Sequence, residues 1–177
     1  MTLTSVTRLS NPEVFSIAMR AGIVAIAINT AMLTVADSFG LTTARGGLLK
    51  LLTNWLAWGL SKSDNATRVQ WMTSVTKIYL FQSCFHIVIG LVMALLFIKL
   101  AAALIEQHAV LTGLFAALAV WLINAIVILP ALGEGFAGGR SLTAAGKVYF
   151  AVAHTAFFLI LSLNARGQML RLSLRQR

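Results

Sequence analysis

Four stretches of this sequence are apolar for long enough to cross a lipid bilayer, and this feature restricts the fold more than any other. A crossing of a hydrocarbon core about 30 Å thick takes about 20 helical residues. A helix also satisfies its own backbone hydrogen bonds, as lipid requires. We therefore predict an all-α integral membrane four-helix bundle in one transmembrane domain, residues 1–177, with spans at about 14–36, 78–98, 109–129 and 148–164.

The composition and charge favour a membrane surface over nucleic acid as the partner of this chain. Apolar residues make up 59% and charged residues 11%, whereas a soluble domain carries about a quarter charged residues. The formal charge of +9 would suggest nucleic acid binding in a soluble protein. Here Lys and Arg lie almost wholly between or beyond the apolar stretches, where they would face lipid headgroups. We expect contacts with membrane lipids and none with nucleic acid.

Helix-start and helix-stop residues set the predicted ends of the spans. Asn11, Pro12 and Glu13 form a helix start in which Asn11 would accept backbone hydrogen bonds as the cap. Lys99 would close the second span, and Pro130 would close the third because proline cannot continue an ordinary helix. The first stretch is longer than a signal-peptide core, so we expect it to remain as an anchor.

The first loop contains a shorter apolar segment at about 46–60. Its Leu and Trp residues are interrupted by Lys50 after too few residues to span. We interpret this segment as an extra interfacial or re-entrant helix in the first loop. A fifth crossing is the alternative.

The distribution of cationic residues gives no orientation in the membrane. One side of the predicted bundle would carry Arg8, Lys99, Arg166, Arg171, Arg175 and Arg177, and the other would carry Arg45, Lys50, Lys62, Arg68, Lys77, Arg140 and Lys147. These two sets are nearly equal in number, so the positive-inside rule does not choose between the two sides.

Each predicted span contains one strong hydrogen-bonding residue near the same membrane depth. Asn29 and Asn124 lie shortly before the ends of spans one and three, and His86 and His154 lie shortly after the starts of spans two and four. At a rise of about 1.5 Å per residue, all four would lie roughly 9 to 12 Å below one face. Polar groups at that depth cost free energy without partners, so we predict an intramembrane polar layer that faces inward.

Three interpretations of this polar layer remain open. The first is structural, with His and Asn side chains forming hydrogen bonds between helices. The second is a b-type haem for electron transfer, with His86 and His154 as axial ligands across the diagonal of the bundle. The third is a small transporter or channel in which the layer lines a path.

Other patterns indicate neither an enzyme nor a structural metal site. Cys84 is the single cysteine and the three histidines are widely spaced, so no zinc-ligand pattern is present in the sequence. Cys84 and His86 are two residues apart, which points them to different sides of a helix and disfavours a catalytic pair. The glycine-rich loop with Glu134 and Arg140 lacks the Lys-Ser/Thr ending of a phosphate-binding loop. We predict no catalytic residues.

Several short strings resemble small uncharacterised YagU-like bacterial inner-membrane proteins. They are residues 85–91 (FHIVIGL), residues 124–135 (NAIVILPALGEG) and residues 153–155 (AHT). The resemblance covers about the C-terminal 100 residues, and it implies a multi-pass four-helix protein of a bacterial inner membrane with no assigned chemistry. Separately, the small size, the many Gly and Ala residues and the lack of a defined catalytic set lead us to expect a non-catalytic subunit that packs against other membrane proteins or copies of itself.

Overall fold

The computed structural model describes residues 9–43, 46–61, 74 and 79–175, and it contains helices and turns but no strand in these ranges. Helix α1 is Asn11–Ser38, α2 is Gly47–Ser61, α3 is Tyr79–Ile123, and α4 is Ala144–Arg175. Helix α3 continues through a π-helix, Asn124–Ile128, into a last turn, Leu129–Ala131, and a short 3-10 helix, Phe136–Gly138, follows. The all-α prediction is confirmed for this part of the chain. The predicted start of the second span at residue 78, and the cations Arg8, Arg45, Lys62, Arg68, Lys77 and Arg177, lie outside it.

Helix α1 begins at Asn11, although the cap is Ser10 and not Asn11 as predicted. The Ser10 backbone N–H and hydroxyl each donate to Glu13 Oε2 at 2.8 Å. A serine followed three residues later by glutamate is the sequence signature of a capping box, and Pro12 suits the first turn because it has no N–H to satisfy. The start of the helix is therefore as expected, with its cap one residue earlier.

Three helical segments are long and apolar enough to cross a membrane. They are Asn11–Ser38, Leu80–Ala131 and Ala144–Arg175, with mean hydropathies of 1.7, 2.7 and 1.7. Many large apolar side chains on them are exposed, such as Leu100 at 83% and Phe115 at 69%. An outward surface of this kind is suited to lipid tails and unsuited to water. These helices therefore indicate a membrane protein.

Helix α3 reverses direction at His108. The backbone angles of His108 (φ −137°, ψ 55°) leave the helical region. His86 and Asn124 line the same cavity, yet a straight helix would separate residues 38 positions apart by about 57 Å. Helix α3 is therefore a hairpin with a first arm, residues 79–107, and a second arm, residues 109–131.

The helices are antiparallel and approach closely through glycines. A Cβ on Gly22 would lie 2.9 Å from the Ala94 Cβ, and a Cβ on Gly90 would overlap Ile26, so α1 runs against the first arm. A Cβ on Gly113 would lie 2.6 Å from Ser162 Oγ, so α4 runs against the second arm. Small residues at such contacts let helices pack without a hydrophobic driving force in lipid.

Helices α1 and α4 close the ring of packed helices. Asn29 Nδ2 donates to the Ala153 carbonyl at 2.9 Å. The Tyr149 hydroxyl donates to the Met32 carbonyl at 2.8 Å. Because the later residue of α1 pairs with the earlier residue of α4, the two helices are antiparallel.

The helices extend beyond the predicted spans. The first arm stays helical past Lys99 to the turn at His108, and α4 covers Ala144–Arg175 where we predicted a span at 148–164. Ala101, Ala102 and Ala103 follow Lys99, and alanine is the strongest helix former. An exposed Lys ends an apolar stretch without ending a helix, so charge is a poor guide to helix ends.

Helix α2 has 15 described residues, about 22 Å of helix. It is not among the three segments suited to crossing in the described part of the chain. Trp55 and Trp58 are 67% and 62% exposed, whereas Leu49 is buried. Such an amphipathic helix with exposed Trp fits the interfacial or re-entrant segment predicted at 46–60.

Candidate functional site

The structure brings the four polar residues predicted from the sequence to one cavity. Asn29 on α1, His86 on the first arm, Asn124 on the second arm and His154 on α4 all line it. The cavity has a volume of about 280 Å³. Each of the four packed segments thus contributes at least one polar side chain to a shared cavity.

A chain of two hydrogen bonds links α4, α1 and the first arm at this level. Asn29 is buried, and its Nδ2 donates to the Ala153 carbonyl. Its Oδ1 must then be the acceptor in the 3.0 Å contact with His86 Nε2. His86 therefore carries a proton on Nε2.

His154 is held by its own helix and by an aromatic neighbour. Its Nδ1 lies 3.0 Å from the Phe150 carbonyl, and a carbonyl can only accept, so Nδ1 carries the proton. The rings of His154 and Phe150 are 4.1 Å apart between centroids and tilted by 53°. These contacts fix the orientation of the imidazole at the cavity wall.

Asn124 lies where the second arm changes from α-helical to π-helical geometry. Its Nδ2 donates to the Val120 carbonyl at 2.9 Å, and the π-helix Asn124–Ile128 begins at this residue. Pro130, six residues later, cannot donate to the carbonyl four residues before it, and its ring crowds that position. A wider turn just before the proline relieves this conflict, and π-helical turns recur at functional sites.

The rest of the cavity wall is largely apolar, with Gln82 as a further polar residue. Phe85, Phe150 and Phe157 contribute aromatic rings. Gln82 was not identified as a site residue from the sequence. It lies four residues before His86 and so on the same face of the helix. This spacing was the signal that could have identified it.

The first turn of α2 also forms part of the wall. Gly47 and Leu49 line the cavity, and both are buried. A Cβ on Gly47 would lie 3.6 Å from Leu132 Cδ1, so α2 rests against the end of the second arm. Nearby, Lys50 Nζ lies 4.0 Å from Glu134 Oε1. The segment predicted as a separate interfacial helix therefore also contributes to the site.

No Asp, Glu, Lys or Arg side chain is among the described residues that line the cavity. In the same part of the chain, no group of three His, Cys, Asp or Glu residues could hold a metal ion. For the haem alternative, ligation through His86 Nε2 would require its hydrogen bond to Asn29 to break, since that nitrogen carries a proton. The cavity is thus suited to a neutral organic molecule.

Comparison with known proteins gives no family for this chain. No protein-family model, curated protein or solved structure matches it.

The remaining residues that the sequence singled out lie away from the cavity. Cys84 and His108 are exposed. Arg140 donates to the Gly133 carbonyl at 3.3 Å, while Ser141 donates to Glu134 Oε2 at 3.1 Å. The glycine-rich loop therefore forms local contacts at the end of the bundle.

Proposed function

We propose that this chain is a four-crossing integral membrane protein that binds a small neutral molecule inside its helix bundle. The observation that carries this proposal is the cavity lined by Asn29, His86, Asn124 and His154. Polar side chains at membrane depth are costly unless they have a structural or binding role. Hydrogen bonds within the bundle account for the amide of Asn29 and for Nδ1 of His154, and the cavity itself gives a role to the polar atoms of His154 and Asn124 that face it.

The size and charge of the cavity restrict the ligand. An engineered apolar cavity of about 150 Å³ binds benzene. A cavity of 280 Å³ therefore accommodates a single aromatic ring or a pair of fused rings. A charged ligand would need a compensating charge in this low-dielectric interior, and the described wall has none. A neutral and largely apolar ligand therefore fits best.

The proposed cellular setting comes from the sequence. We propose a non-catalytic role as a subunit of a larger bacterial inner-membrane complex or as a homo-oligomer, and the YagU-like resemblance remains a prediction. The exposed apolar residues on α1, α3 and α4 support contact with lipids and with other membrane proteins. Mass determination of the particle in a mild detergent tests this part. A particle with the mass of one chain, free of any other protein, would contradict it.

Ligand binding is tested by filling the cavity. Val120 lines the cavity on the second arm, so Val120→Phe would occupy the space. With the protein in nanodiscs, we expect naphthol to raise the unfolding temperature of the wild type and to leave that of Val120→Phe unchanged, because a ligand that binds the folded state stabilises it.

The matched control is Val110→Phe, at an exposed position on the same arm. It should respond to naphthol as the wild type does. An equal response of wild type and Val120→Phe would show that the probe acts through the lipid, and it would contradict the proposed binding site.

A further inference from the structure

Two hydrogen-bond acceptors of lining side chains have no partner in the described part of the chain. They belong to His154 on α4 and Asn124 on the second arm, and both residues line the cavity. Their roles follow from the partners that their other polar atoms already have.

For His154, the neutral ring has one N–H and one acceptor nitrogen. The N–H is on Nδ1, because Nδ1 faces the Phe150 carbonyl at 3.0 Å. Nε2 is then the acceptor, and it has no hydrogen-bond partner within residues 9–43, 46–61 and 79–175. A ligand that meets this nitrogen must donate.

For Asn124, the orientation of the amide follows from the same reasoning. Nδ2 donates to the Val120 carbonyl at 2.9 Å, which leaves Oδ1 as the acceptor atom of the side chain. Within the described part of the chain, Oδ1 also has no partner. The second arm and α4 thus each present one unpartnered acceptor.

An unpartnered acceptor in an apolar interior costs free energy that a donor from a ligand recovers. The wall also contains the rings of Phe85, Phe150 and Phe157. Aromatic rings favour edge-to-face or offset contacts with another ring. The wall therefore combines hydrogen-bond acceptors with an aromatic surface.

We infer that the ligand is a neutral phenol, whose hydroxyl donates to His154 Nε2 or Asn124 Oδ1 while its ring lies among the phenylalanines. This inference rests on the proposed function, because it names the class of molecule that the cavity binds. It predicts that a hydroxyl group is preferred over a methyl group of similar size at the same ring position.

The test compares naphthol with methylnaphthalene, measured by calorimetry with the protein in nanodiscs. The preference is the ratio of the two dissociation constants for each variant. One hydrogen bond to a buried acceptor corresponds to about tenfold in affinity. If the hydroxyl donates to His154 Nε2, we expect the preference for naphthol to fall about tenfold in His154→Phe, which keeps an aromatic ring beside Phe150 but has no acceptor.

The matched control is His108→Phe, because His108 is exposed at the turn of α3 and does not line the cavity. The partitioning of each probe into the lipid does not depend on the variant, so a change of preference between variants reports on the protein. His108→Phe should keep the wild-type preference.

Asn124→Leu provides a second test of the acceptor requirement if His154→Phe does not fold. An unchanged preference in either folded variant overturns the inference for that acceptor, and in both it overturns the phenol assignment. The proposed function would then still stand if both probes bind the wild type and not Val120→Phe. If neither probe binds the wild type, the proposed function itself is overturned.

Discussion

The bundle has a hollow half and a dense half, built from the same helices. In the hollow half, Asn29, His86 and His154 surround a cavity of about 280 Å³. In the dense half, near the turn of α3, Ile105 and Ala165 are fully buried among apolar neighbours. The difference shows that small residues bring these helices together, while larger polar and aromatic residues hold them around a space.

The largest effect should come from enlarging a glycine in the dense half. Gly113→Leu places a side chain against Ser162 Oγ and the Phe158 carbonyl. Because backbone cannot move aside easily, we expect a loss of about 3 kcal/mol in unfolding free energy. The measurement is SDS-induced unfolding from bicelles.

The control for this change is Gly167→Leu on α4, where nothing lies within 4 Å of an added Cβ. This variant should be as stable as the wild type or more stable, since leucine is a better helix former than glycine. Equal stability of the two variants would mean that the Gly113 contact is not tight.

Two positions on the second arm allow the dense half and the hollow half to be compared directly. Ala117 is buried in the dense half and Val120 lines the cavity, three residues later. We expect Ala117→Phe to lose about 2 kcal/mol through overpacking. Val120→Phe should change the stability by less than about 0.5 kcal/mol, because its ring enters existing space. The same unfolding assay measures both, and similar losses would remove the distinction between the halves.

A smaller effect should follow from removing the amide that joins three segments of the hollow half. Asn29→Leu removes the bond to the Ala153 carbonyl and the acceptor for His86 Nε2. We expect a loss of about 1.5 kcal/mol, since interhelical hydrogen bonds in membranes contribute modestly. Asn164→Leu is the matched control, because Asn164 is exposed and bonds to its own helix at Ile160. A greater loss in the control would argue against the role of Asn29.

The smallest effect should come from Tyr149→Phe. This change removes the hydroxyl that donates to the Met32 carbonyl and keeps the ring. We expect a loss of about 0.6 kcal/mol, the average for one such bond in a membrane protein. Double-mutant analysis with Asn29→Leu should give nearly additive losses if the two bonds act independently. Strong coupling would show that the two hydrogen bonds between α1 and α4 break together.

The positions of the polar residues along the bundle could be predicted from the sequence, because the rise per residue of a helix is constant. Asn29, His86, Asn124 and His154 were predicted at one depth, and their side chains line one cavity. Their partners could not be predicted in this way. The bond from Asn29 to the Ala153 carbonyl depends on how two helices that are far apart in the sequence pack together, and no local sequence pattern predicts that packing.

Helix ends and irregular turns were harder to predict from local signals. Lys99 was interpreted as the end of the second membrane-crossing span, and the helix itself continues past it, because an exposed lysine does not interrupt a helix whose next residues favour helix. Pro130 correctly indicated a disturbance near the end of α3, but the π-helix before it is one of several ways to accommodate a proline. The contribution of Gly47 to the cavity wall depends on a long-range contact with Leu132.

The single-residue reversal at His108 also governs where the bundle can open. Two arms that meet at one residue have almost no slack there, so they cannot slide past each other or part at that end. Any separation must grow with distance from His108 and become widest beside Gly47 and the loop after Ala131. A molecule that enters between the arms therefore passes the end covered by α2.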